Sequence, residues 1–166
     1  MFDTLYSMAN EQEILLQRVQ PAMVGLVDGS LATLAPIFAV ALATHKPYYA
    51  FVAGLASALA AGVSMAYSEG LSDTGELTGR GRPAVRGTIT GAGTFLGGIL
   101  HTLPFLIPHY RVALVAAVVV VGFEMMGLAW IRWRFFSASY FSSLAWIALA
   151  AAIIIVVSGA LGNAAG

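Results

Sequence analysis

Five apolar runs leave this chain little freedom of fold. They lie at about residues 19–43, 47–71, 85–107, 111–131 and 140–162, and a hydrocarbon core about 30 Å thick takes about 20 helical residues to cross. A backbone in lipid must satisfy its own N–H and C=O groups, so runs of this length become helices. The expected fold class is therefore an all-α membrane protein with five transmembrane helices. Composition supports it: hydrophobic residues make up 59% of the chain and charged residues only 10%, against about 25% charged in a soluble domain. The connections are short, namely His45-Lys46, the polar stretch SDTGELTGRGRP, Pro108 to Arg111 and Arg134 to Ser139, which predicts one bundle rather than two domains.

Residues 1–17 carry Asp3, Glu11 and Glu13 and lack the basic start and apolar core of a cleaved signal. They read as an amphipathic cytoplasmic segment in front of a membrane domain at 18–166. Arg18, Arg80, Arg82, Arg86, Arg132 and Arg134 fall on one side of the five spans, and Lys46 and Arg111 on the other. The excess of arginine places the N-terminus in the cytoplasm and, after five crossings, the C-terminus outside. A formal net charge of zero offers no basic surface for phosphate backbones, which argues against a nucleic-acid partner. The chain has no cysteine, so any metal chemistry must use oxygen, imidazole or thioether ligands.

One carboxylate stands where hydrocarbon should forbid it: Asp28, inside the run MVGLVDGSLATLAPIFAVALA. Its insertion costs at least about 2.5 kcal/mol, so it must face a partner, a cavity or an ion. Counting 1.5 Å per residue from the predicted inner ends puts Asp28 about 12 to 14 Å deep, Met65 about 9, Glu69 about 3 and Glu124 about 10. Met65 and Glu69 are four apart and share a helix face. Carboxylates alone suit Mg, Ca or Mn, and adding a thioether moves the preference toward Fe(II) and later metals. The candidate ligands are thus Asp28, Met65, Glu69 and Glu124, with Asp73 and Glu76 in the loop between the second and third spans as a capture point.

Each has a plainer alternative. Met65 is a common core filler, Glu69 a solvated helix end, and Asp73 and Glu76 ordinary loop residues. Glu124 either pairs with an arginine such as Arg132 or binds a proton. His101, in GGILHTLPFLIP, is either a proton carrier or a hydrogen-bonded residue at the interface. Small residues at four-residue spacing, Gly25/Gly29, Gly54/Ala58/Gly62, Gly87/Gly91 and Gly93/Gly97, mark close helix contacts. No nucleophile elbow, phosphate loop, HExxH or paired-histidine motif occurs, so an enzyme is not expected.

The blocks RVQPAMVGLVDGSLATLAPIFAVALAT, GLASALAAGVSMAYSEGLSDTGELTGRGRP and GGILHTLPFLIP resemble the vacuolar iron transporter family. The likeness is to the bacterial branch in which a ferritin-like domain precedes the transporter, and it runs from about residue 18 to the C-terminus. It implies a homodimer of five-helix protomers in the bacterial inner membrane, with the ion path between protomers and Fe(II) or Mn(II) leaving the cytoplasm in exchange for protons. The metal is cargo, and no resident cofactor is implied. By position, Asp28 and Met65 match the family's pathway carboxylate and methionine, and Glu69 the carboxylate of its SMxxGE-like block. The layering of the candidate ligands suggests a route for Fe(II) from Glu69 and Asp73 past Met65 to Asp28 of one or both protomers.

Three departures from that pattern stand out. Eukaryotic relatives carry a long Glu- and Met-rich insertion between the second and third spans, where this chain has about a dozen residues. Plant-type members have a carboxylate two turns before the methionine, where this chain has Ser57. The ferritin-like domain is absent from this sequence. Two other functions remain open: a membrane anchor docking a ferritin-like partner without transport, and a small proton-driven exporter of organic cations.

Overall fold

The computed structural model of the chain describes residues 11–72, 74–76 and 78–165. Among them there is no strand, and five long helices account for most of the backbone: α1 (Glu11–Thr44), α2 (Pro47–Ser72), α3 (Pro83–Leu100), α4 (Tyr110–Phe136) and α5 (Tyr140–Ala165). Prolines open α2 and α3, where the missing N–H would have no intrahelical partner anyway. His45 after α1 and Ser137 after α4 take left-handed backbone angles, with φ of 53° and 52°, and so turn the chain sharply at the helix ends. The boundary that composition suggests at residue 17 is not a break. The helix runs from Glu11 through a π-turn at Leu15–Val19 directly into the first apolar run.

Four of the five helices, α1, α2, α4 and α5, are long and apolar enough to cross a membrane. The fifth expected span is the exception. α3 is 18 residues long and contains five glycines, three threonines and Arg86, so it is too polar for lipid to be its main neighbour. The apolar run continues to residue 107 in sequence but not as α-helix. Pro104 cannot donate to the carbonyl of Leu100, and the chain turns at His101 and Thr102 into a 3-10 helix at Leu103–Leu106.

α3 packs against α2 and the first half of α1, which are its main neighbours. Glycines make this possible. A methyl group at Gly25 or Gly29 would overlap the carbonyls of Thr90 and Thr94, and one at Gly97 would press on Leu26 and Ser30. On the other face of α3, Gly87 and Gly91 lie against Ala66 and Gly62 of α2. Where lipid supplies no hydrophobic drive between helices, backbone approach of this kind supplies the contact area instead.

α1 is interrupted at Thr33, between Gln20–Ala32 and Leu34–Thr44. The cause is local. Pro36 has no N–H to offer Ala32, and the Thr33 N–H reaches the carbonyl of Gly29 only at 3.4 Å. The second half of α1 packs on α5, with Gly162 against Ala39, and it forms the core with Ile37, Ala41, Ala50, Phe105 and Ala113. The first half carries Asp28 and is held by α3. The interruption therefore separates the part of α1 that bears the acid from the part anchored in the bundle.

Candidate functional site

The first half of α1 presents two stripes. Gly25, Gly29 and Thr33 face inward and are buried. Val24, Val27, Asp28 and Leu31 lie on the other side and line an open cavity of about 710 Å³, bordered also by Met65 from α2, Arg132 and Phe136 from α4 and Ile154 from α5. Asp28 is partly buried there. Among the described residues it has no hydrogen-bond or ion-pair partner, and although Arg132 borders the same cavity the two form no ion pair. Asp28 and Met65 are thus brought to one space from two helices, an uncompensated carboxylate and a thioether against mainly aliphatic walls.

Glu69 does not join them. It sits near the end of α2, where its Oε1 accepts from Arg86 Nε at 2.8 Å and from Arg80 Nη2 at 2.7 Å. Arg86, at the start of α3, has no exposed side-chain surface. It also donates to the carbonyls of Gly81 and Glu69, at 3.2 and 3.3 Å, and to the Ser72 hydroxyl at 3.3 Å. The two guanidiniums clasp α2, the connecting loop and α3 together, with Glu69 as the shared acceptor. Gln17 of α1 adds a bond to the Gly79 carbonyl at 3.4 Å. Glu76 is exposed in this loop, and Asp73 lies outside the described residues.

Glu124 is elsewhere again. From α4 its Oε2 lies 2.9 Å from His101 Nδ1, and the partner is an imidazole rather than Arg132. His101 is fully buried just beyond α3, and its Nε2 lies 2.7 Å from the Thr33 hydroxyl. Thr33 Oγ1 in turn reaches the carbonyls of Gly29 at 2.9 Å and Gly98 at 3.4 Å. Among the described residues Glu124 Oε1 is buried without a partner. His101 and Glu124 are 23 residues apart, one just after α3 and the other within α4, so each is visible in the sequence as an ionisable residue in an apolar run but their pairing is not. Arg86 is the residue that sequence reading undervalues. It counts there only toward the cytoplasmic charge excess, and its signal is the placement of Glu69 and Arg86 at the two ends of a short glycine-rich loop.

Among the described residues no group of three or more His, Asp or Glu side chains lies close enough together to hold a metal ion. No protein-family model, no curated protein and no solved structure matches the chain. Fold and site define the class: an all-helical protein with four apolar helices fit to cross a membrane and an unpaired carboxylate on the first of them.

Proposed function

We propose that the chain exports Fe(II) or Mn(II) across a membrane in exchange for protons, with Asp28 and Met65 as the ligands on the path. The observation that carries this reading is the shared cavity of a carboxylate without a counter-ion and a thioether, between apolar helices. An acid so placed is tolerable when a mobile cation or a proton visits it. The resemblance to vacuolar iron transporters supports the same two residues.

One carboxylate and one thioether are too few for ions that take about six ligands. A second copy related by a twofold axis doubles the set to two of each, with water completing the shell. The proposal therefore includes a homodimer with the path between protomers, α3 embedded as the fifth membrane helix and the N-terminus in the cytoplasm. Two Asp28 carboxylates facing each other cannot both stay ionised cheaply unless a cation lies between them. Competition between metal and proton for that pair is the proposed coupling.

The test is flux into liposomes containing a metal-sensitive dye, under an imposed pH gradient. Asp28→Asn lowers Fe(II) uptake by about 10- to 100-fold, since loss of groups that merely orient a metal ligand already has effects of that size. Equal uptake by the native chain and the variant refutes the proposed path. A second reading, a proton-driven exporter of organic cations, draws support from the aliphatic walls and Phe136. The cavity volume of about 710 Å³ is also that of a small-molecule pocket. Flux of a fluorescent lipophilic cation with no Fe(II) flux selects it.

A further inference from the structure

Glu124 lies near the middle of α4, about 21 Å from one end and about 18 Å from the other at 1.5 Å per residue, so a membrane-spanning α4 puts it close to the bilayer centre. Within two turns of it on α4 no other residue is charged, α2 carries no charged side chain before Glu69, and α5 contributes none. Asp28 is five residues before Thr33 on the opposite stripe of α1, and Arg86 is fifteen residues before His101. Among the described residues the carboxyl group of Glu124 therefore has one ionisable partner at hand, His101.

We propose that Glu124 and His101 form a proton-binding site of their own, separate from the Asp28 cavity, and that its occupancy is passed to α1 through the Thr33 hydroxyl. The argument is one of counting hydrogens. With one shared proton the pair is either imidazolium with carboxylate or neutral imidazole with carboxylic acid, and both have zero net charge, as burial without another counter-ion requires. The unpartnered Oε1 is less costly on the acid than on the carboxylate. In both arrangements Nε2 carries a hydrogen and donates to Thr33 Oγ1, which leaves the threonine hydrogen free to bond the Gly29 carbonyl at 2.9 Å.

Removing the shared proton changes that chain of bonds. The remaining imidazole hydrogen must sit on Nδ1, because a bare Nδ1 facing a carboxylate at 2.9 Å is repulsive. Nε2 then presents a lone pair to Thr33 at 2.7 Å, and the hydroxyl has to turn and donate to it. The Gly29 carbonyl keeps only the long 3.4 Å bond from the Thr33 backbone. The hydroxyl that turns belongs to Thr33, where α1 is already interrupted, and the carbonyl that it leaves belongs to Gly29, the residue after Asp28. Proton loss thus loosens the joint between the anchored half of α1 and the half that bears the acid. It also leaves a buried negative charge that has to be met by water or an arriving cation.

The proton site stands without the transport reading, and only its link to flux rests on it. The test uses the full chain in lipid, with histidine labelled in the ring nitrogens and glycine in the carbonyl, followed by solid-state NMR as pH is raised while the helical circular dichroism stays constant. His101→Asn assigns the His101 signals. The native chain is expected to lose the Nε2 hydrogen and to shift the Gly29 carbonyl together. Glu124→Gln is expected to abolish both changes, Asp28→Asn to keep both, and Thr33→Val to remove the Gly29 shift. A native Nε2 that holds its hydrogen throughout overturns the site, as does a change that survives in Glu124→Gln. A Gly29 carbonyl that never moves overturns the link to α1.

Discussion

Arg86 shows what a single charge does when it is sealed from water at the end of a helix. Its guanidinium reaches Glu69, Gly81 and Ser72, so Arg86→Met removes charged hydrogen bonds and strands their acceptors at once. We expect a loss of about 3 kcal/mol in equilibrium unfolding in detergent. Glu69→Gln leaves the sealed guanidinium without its counter-charge and is expected to lose at least as much, about 3 kcal/mol or more, in the same measurement. A Glu69→Gln variant as stable as the native chain contradicts the assignment of Glu69 as the counter-charge of Arg86. At this scale the sequence is informative about which residues are anomalous and silent about whom they meet. Asp28 stands out from its run by chemistry alone. The partners of Glu69 and Glu124 are set by how α2, α3 and α4 are rotated about their axes, which no local pattern encodes.

The helices themselves were mostly legible, because their ends carry their own chemistry: Lys46-Pro47 between α1 and α2, Arg82-Pro83 before α3, and aromatic and cationic residues around both ends of α4. α3 was the hard case. Hydropathy reads its apolar residues together with those of Leu103–Leu106 as one span, although Pro104 already marks where the chain leaves the α-helix after Leu100. The spacing of its glycines was the better guide, since it concerns contact rather than length. Gly29→Ala places a methyl group on the Thr94 carbonyl and is expected to destabilise by about 1 to 3 kcal/mol through forced separation of α1 and α3. Gly122→Ala on α4 meets nothing within 4 Å and should be neutral or stabilising by up to about 1 kcal/mol, the ordinary gain in helix propensity. Thermal unfolding of the two variants side by side checks the contrast, and equal effects contradict the close approach.

The assembled molecule leaves one side of α1 uncovered, and the proposed homodimer places a second copy against it. Val24 is 43% exposed and borders the cavity. The chain has no cysteine of its own, so Val24→Cys should form a disulfide-linked dimer in membranes on mild oxidation. Val156→Cys, 69% exposed on α5, should not. A monomer from both variants removes the twofold path. The clasp around Glu69 has a consequence for how the protein is made. α3 is too rich in glycine and threonine to enter a bilayer on hydropathy alone, and it begins with a guanidinium that would arrive in lipid unneutralised. α2 brings the carboxylate that cancels it, so the two segments are expected to leave the translocation machinery as one hairpin, with insertion of the second waiting on the first.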